Sequence, residues 1–401
     1  RQSVPLPLPG ALYSSAYRYE PGDPVQQALS SNAGSAASAM QVVSGELQQL
    51  AREFLEGTSD RSLTPQVEQE LTSASREAAE LAMALTISLT AADPNRVHWI
   101  DVPPESRDPV RIKSAPLDVA PMLAQNIFER LQSVIFTSAT LSTSNGPDAF
   151  THLSRRLGLD RLPSERLLSA QFGSPFDFDK NCLILYPTFV PSPQDDREGH
   201  TDLVSSLLAE TAIATHRAIL ALFTSYRAMR DVERRLKREL LGTEIELLVQ
   251  WGRADRDRLL QRFRKTRGGI LLGTDSLWEG VDLPGEALEM VIVAKLPFDV
   301  PADPVVAARI DQIRSEGRSP FQEYQLPMAI LRTRQGVGRL IRSSTDRGVV
   351  LFLDPRITTK EYGRRIRSAL PGRSAMPQNR EELISIVSEF FDSSKDRKGG
   401  D

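Results

Sequence analysis

The feature that most constrains this chain is a series of six short, predominantly apolar runs. They lie at residues 182–187, 218–224, 245–250, 269–273, 289–294 and 348–353. A strand with one wet face alternates apolar and polar residues, whereas a continuous apolar run must be covered on both faces. Between several of these runs the period changes to that of a helix, at 202–216, 226–240 and 254–266. Strands alternating with helices imply an α/β fold: a parallel sheet flanked by helices on both sides.

Upstream the pattern is different. Residues 1–35 are rich in Pro, Ser, Ala and Gly and read as a loosely held lead-in. Met40, Val43, Leu47, Leu50 and Phe54 then recur at helical a/d spacing, as do Val67, Leu71, Ala74, Ala78, Leu81 and Leu85. Thr64-Pro65 supplies a cap followed by proline at the first helical position. An antiparallel helical hairpin is therefore expected over 36–95. Short strands are expected at 98–102 and 110–113, a helix at 118–132, and a buried strand at 133–137. A composition shift at Ser142 to Pro147 separates an α/β edge, 96–145, from a larger α/β unit, 146–401.

Composition narrows the chemistry. The chain has 401 residues, so more than one domain is expected. Its net charge of −3 gives no global attraction for a polyanion, so any nucleic-acid contact must be a local groove. One cysteine, Cys182, cannot build a zinc or iron–sulfur cage, and His98, His152, His200 and His216 are scattered, so no metal site is expected. The most apolar run, 81–92, is too short to span a bilayer, and no signal-like segment opens the sequence; the expected address is cytoplasmic, with no membrane partner. A start at Arg1 reads as a fragment or a processed product.

The sequence contains no Gly-Lys dipeptide, hence no G-x-x-x-x-G-K-[ST] loop, and no Asp-Glu dipeptide of an acidic magnesium box. The strongest positive signal is Gln335-Gly-Val-Gly-Arg339-Leu-Ile-Arg342. On a helix, Gln335, Arg339 and Arg342 would share one stripe, and two guanidinium forks suit phosphate oxygens. Ile330, Val337 and Ile341 would pack behind. The second signal, Gly273-Thr274-Asp-Ser-Leu-Trp-Glu279-Gly280-Val-Asp282, follows an apolar strand, where open sheets bind ligands. Glu279 and Asp282 are acceptors for ribose hydroxyls or a polarised water. Two further strand ends carry hydroxyls, Thr137-Ser138-Ala139-Thr140 and Thr224-Ser225; taken singly, helix capping explains each.

In this order the segments resemble motifs III, IV, V and VI of superfamily 2 DNA helicases of the DinG and XPD group. Ser174-Pro-Phe176, Lys295-Leu-Pro-Phe298 and Asp354-Pro-Arg356 echo the same group. The resemblance spans about 96–371 and implies a RecA-like sheet as the C-terminal lobe of a two-lobed motor, preceded by an arch-like hairpin. It implies ATP and magnesium, single-stranded DNA, and an N-terminal motor lobe of the same protein as partners. Gln335, Arg339 and Arg342 would face the triphosphate, with Arg342 as the arginine finger, and Glu279, Gly280 and Asp282 would complete the nucleotide site. Thr224, Ser225 and Thr274 would grip the DNA backbone. Thr137, Ser138, Ala139 and Thr140 would couple hydrolysis to movement, 5′ to 3′, in DNA repair. The group's Walker A lysine, acidic box and cluster cysteines precede the arch, so the chain is expected to start after them and to be inactive alone; an iron–sulfur cluster is not ligated by this chain. The alternative is a non-catalytic module that keeps only single-strand binding.

Overall fold

A computed structural model describes residues 16–57, 64–102, 110–144, 146, 148–251, 256–274, 277, 283 and 285–393. Two compact units emerge: Arg1–Ile127 with Val300–Pro320, and Phe128–Asp299 with Phe321–Asp401.

The first unit opens with β1 (Ala16–Tyr19), inside the expected lead-in, followed by α1 (Pro24–Gly57) and α2 (Thr64–Thr90). The helix therefore starts at Pro24, not near residue 36, because Pro24 fits a first helical turn and Asp23 Oδ1 accepts the Val25 N–H at 2.8 Å. β2 (Arg96–Asp101) and β3 (Arg111–Pro116) form an antiparallel pair with Ile100 opposite Ile112, and β1 adds to β2. The small core holds Tyr19, Val25, Leu29, Ala37, Leu89, Ala91 and Ile100, and the Tyr19 hydroxyl donates to the Ser88 carbonyl at 2.8 Å.

Ala78 is buried as expected, but much of the rest of the hairpin seam is displaced by one residue. Ser44, Ala51, Ser75, Ala78 and Ala82 are buried, while Val43, Leu50 and Leu81 are 41%, 52% and 55% exposed. Ser44 Oγ donates to the Ser75 carbonyl and Ser75 Oγ to the Ser44 carbonyl, each at 3.0 Å. Small residues let the two backbones approach, which the larger set at the adjacent positions would prevent. The expected helix at 118–132 is also shorter. It is α3 (Ala120–Leu123) running into one π turn at Ala124–Phe128.

No strand forms at 133–137, and Ile135 is 85% exposed. A strand is stable only beside a partner, and none of the described strands pairs with this segment.

The second unit is built on a seven-stranded parallel sheet in the order β10-β4-β9-β8-β5-β7-β6. Its strands are β4 (Cys182–Leu185), β5 (Ile219–Leu222), β6 (Leu247–Val249), β7 (Ile270–Gly273), β8 (Met290–Val293), β9 (Gly348–Phe352) and β10 (Arg373–Ala375). All six apolar runs supply strands. The edge strand β10 was not anticipated, because three residues reading Arg-Ser-Ala carry no apolar signal.

Side chains alternate between two cores, as the strand period of two requires. Leu183, Leu185, Ile219, Ala221, Leu272 and Ile292 face α6 (Arg197–Thr215), α7 (Tyr226–Glu239) and the last helix. Cys182, Ile184, Leu220, Leu222, Leu271 and Val291 face the opposite layer, which includes α8 (Arg256–Lys265). Residues 300–320 join the first unit through α9 (Pro304–Ser315): Asp311 pairs with Arg18 at 2.9 Å, and Arg309 donates to the Leu117 carbonyl at 3.0 Å. Residues 300–320 thus leave the expected 146–401 unit.

Candidate nucleotide and nucleic-acid site

The carboxyl ends of β5, β7 and β6 lie side by side in the sheet. Thr224 and Ser225 follow β5. Ser225 caps α7, its side chain accepting the Ala228 N–H at 3.2 Å, as the capping reading expects. Thr274 follows β7 and is only 5% exposed. Its N–H donates to Gln250 Oε1 at 3.2 Å, and Gln250, at the end of β6, is itself buried. Gln250 therefore ties two strand ends together; a buried amide after an apolar strand was the signal that could have found it. Gly273 admits the Leu277 side chain against its backbone, since a Cβ there would meet Leu277 Cδ1 at 2.1 Å. Glu279, Gly280 and Asp282 lie outside the described residues.

The second element of the site is α10 (Leu326–Val337) and the loop after it. The expected stripe of Gln335, Arg339 and Arg342 on one helix does not form, because α10 ends at Val337 and Gly338 caps it. Glycine costs roughly 1 kcal/mol against alanine inside a helix, and Gly336 and Gly338 both fall here. The chain beyond is held instead by Asp346. Its carboxylate accepts the Arg342 N–H at 2.8 Å, the Ser343 N–H at 2.9 Å and the Ser343 hydroxyl at 2.8 Å. Leu340 and Ile341 are buried, and with Ile330 and Val337 they root the loop in the core as expected. Arg339 and Arg342 are half-buried, and Arg342 Nε donates to the Arg339 carbonyl at 3.2 Å. Gln335 Oε1 is buried with no hydrogen-bond partner among the described residues.

The other arginines of α10 have structural duties. Arg332 pairs with Asp299 at 2.5 Å. Arg334 donates to the Ser142 carbonyl at 2.7 Å and to Ser142 Oγ at 2.9 Å, and burial holds its guanidinium below its ordinary pKa range. Ser142 also accepts from Gln171 at 3.1 Å. Arg334 thereby connects α10 to the chain just beyond Thr137-Ser138-Ala139-Thr140. Those four residues are exposed or half-exposed, and Ser138 Oγ accepts the Thr140 N–H at 3.2 Å.

Two of the smaller echoes meet. Asp354 accepts the Leu296 N–H at 2.8 Å and binds Arg356 at 2.6 Å. Burial pushes the Asp354 carboxyl up, but the hydrogen bonds and charge of Arg356 outweigh it and hold the carboxyl low. Among the described residues no cluster of three or more His, Cys, Asp or Glu is placed to hold a metal, and no helix is long and apolar enough to cross a membrane.

Residues 208–373 match the family model described as helicase C-terminal domain. The chain is 34% identical over 302 residues to the 3′-5′ exonuclease DinG of Bacillus subtilis, covering 74% of this chain and 32% of that relative. It is 36% identical over 256 residues to the ATP-dependent DNA helicase YoaA of Escherichia coli, covering 64% and 38% respectively. A third relative, the ATP-dependent DNA helicase DinG of Photobacterium profundum, is 36% identical over 277 residues, or 68% and 39%. The chain thus spans about a third to two fifths of these relatives' lengths. A solved XPD helicase aligns over 78% of this chain and 55% of its own, with TM-score 0.49 and 16% identity. The parallel sheet flanked by helices is the α/β architecture the apolar runs implied, and the chain carries a helicase C-terminal domain over residues 208–373 and is similar to a C-terminal portion of DinG- and YoaA-type helicases.

Proposed function

We propose that this chain is the C-terminal motor lobe of an ATP-dependent DNA helicase, moving 5′ to 3′ on single-stranded DNA in cytoplasmic DNA repair. The observation that carries it is Gln335: a buried amide oxygen with no partner among the described residues, next to a loop whose backbone is fixed by Asp346. A buried polar atom without a partner costs about 1–3 kcal/mol. A bound water, such as the attacking one, would relieve that cost by donating to the oxygen, while the Nε2 end of the same amide can donate to a phosphate oxygen. The sequence relatives named for ATP-dependent DNA helicase activity support the same reading.

In this proposal the N-terminal motor lobe of the same protein supplies the phosphate cradle and the magnesium ligands, and the residues here complete the cleft. Gln335 orients a water or a phosphate oxygen. Arg339 and Arg342 present guanidinium groups to the triphosphate, where charge that grows in the transition state is stabilised. Glu279, Gly280 and Asp282 are assigned to the nucleotide, and Thr224, Ser225 and Thr274 to the DNA backbone. Ser225 contributes through its position at the start of α7, since its hydroxyl already caps that helix. Thr137, Ser138, Ala139 and Thr140 couple the two events through Ser142 and Arg334.

The test uses residues 1–401 and the full-length protein side by side. The chain alone should bind single-stranded DNA weakly, with affinity falling steeply as salt rises. It should show no ATP hydrolysis above background, because phosphoryl transfer needs the lysine and metal ligands of a P-loop. In the full-length protein, Gln335→Ala should remove most DNA-stimulated ATPase. Hydrolysis by the chain alone, or wild-type turnover in Gln335→Ala, overturns the proposal.

A further inference from the structure

Trp251 has no role in the site as described so far, yet its placement is unusual. It lies two residues beyond the end of β6 and is 50% exposed. The Arg230 guanidinium lies over its ring, 5.2 Å from the centroid. The residue before it is anchored: Gln250 donates its N–H to the Leu272 carbonyl at 3.0 Å, and its side chain accepts the Thr274 N–H at 3.2 Å. A large aromatic left half in water at a rigid strand end is a preformed surface for a flat partner.

Its neighbours are those of a nucleic-acid groove. β6, β7 and β5 are adjacent, so Trp251, Thr274 and Thr224 stand at the ends of successive strands. At strand spacing, the first and last are about 10 Å apart across the sheet. Tyr226, 46% exposed, opens α7, and the exposed Arg227 and Arg230 follow on its first turns. Aromatic faces beside basic side chains at a backbone-gripping edge are the combination that binds single strands without sequence preference.

We infer that Trp251, backed by Arg230, is a stacking platform for a base of single-stranded DNA lying across the carboxyl ends of β5, β7 and β6. This rests on the motor-lobe reading and adds to it a contact with the bases, where the hydroxyls would reach only phosphates. The arginine covers part of the ring and carries charge towards the strand, while the area still exposed is what a base would cover.

The experiment measures binding of residues 1–401 to a labelled oligonucleotide and to the same strand made abasic throughout, by fluorescence anisotropy at low salt. For the wild type, removing the bases should weaken binding by roughly 5–150-fold, the range for loss of one stacked base. Trp251→Ala should weaken binding to the intact strand by a similar factor and bind the abasic strand as the wild type does. Trp251→Phe should restore most of the loss, which guards against a folding defect in the alanine variant. Equal affinity of Trp251→Ala and wild type for the intact strand overturns the platform while leaving the motor-lobe reading standing. So does an equal loss in Trp251→Ala on both strands. Absence of any single-strand binding by the wild type overturns both.

Discussion

Asp346 offers the sharpest test of how the loop bearing Arg339 and Arg342 is held. It is 8% exposed and accepts three hydrogen bonds, from the Arg342 N–H at 2.8 Å, the Ser343 N–H at 2.9 Å and the Ser343 hydroxyl at 2.8 Å. Hydrogen bonds to a charged group contribute about 1.5–3 kcal/mol each. Arg342 and Ser343 are only half-buried, so water recovers much of what each donor loses. Asp346→Ala should therefore destabilise the second unit by about 2–4 kcal/mol, well short of the summed bonds. Asp346→Asn keeps one acceptor and turns the other towards a donor, and should cost about half as much. Urea unfolding followed by tryptophan fluorescence in a Trp99→Phe background measures both, because the two remaining tryptophans, Trp251 and Trp278, belong to the second unit. In the full-length protein, both variants should also lower ATPase, since Arg342 loses its anchor although its side chain is intact. A change below about 0.5 kcal/mol in Asp346→Ala, with wild-type turnover, would refute the idea that this carboxylate organises the loop.

Three further outcomes are expected. Arg342→Ala in the full-length protein should remove most DNA-stimulated ATPase while leaving single-strand binding intact, and Arg342→Lys should not rescue it, because a point charge lacks the planar fork; steady-state ATPase decides. Ala82→Leu places a bulky side chain at a position 1% exposed in the hairpin seam, and should lower stability by about 1–3 kcal/mol in thermal unfolding followed by circular dichroism. His98 is buried against Tyr19 with neither ring nitrogen hydrogen-bonded among the described residues; burial, then the charge of Arg96, lowers its pKa from 6.5, with Asp93 opposing. A lowered pKa means that the unfolded chain takes the proton first, so this stability is complete above pH 6.5 and is lost as pH falls below it. His98→Phe should flatten that part of the first unit's pH profile, and an unchanged slope in denaturant midpoints between pH 7 and 5 would count against it.

The sequence alone determined the architecture of the second unit. Residues such as Leu220, Leu271 and Val291 sit in unbroken apolar runs, and a run that is apolar at every position can be satisfied only by a sheet covered on both faces. Local chemistry likewise determined Ser225 as a cap, since the hydroxyl and the amide it accepts are three residues apart. What escaped the sequence depended on partners distant along the chain. Nothing local distinguishes the Ser44–Ala51 seam from the larger Val43–Leu50 set beside it. The choice lies in how closely two helices can approach once Ser44 meets Ser75. The strand expected at 133–137 has the right residues and, among the described residues, no neighbouring strand to pair with. The stripe of Gln335, Arg339 and Arg342 fails for a related reason: two glycines weaken the helix, and a carboxylate four residues beyond Arg342 captures the backbone that would have continued it. Gln250 beside Thr274 and Arg334 on Ser142 are contacts across 24 and 192 residues, which only the folded chain brings together.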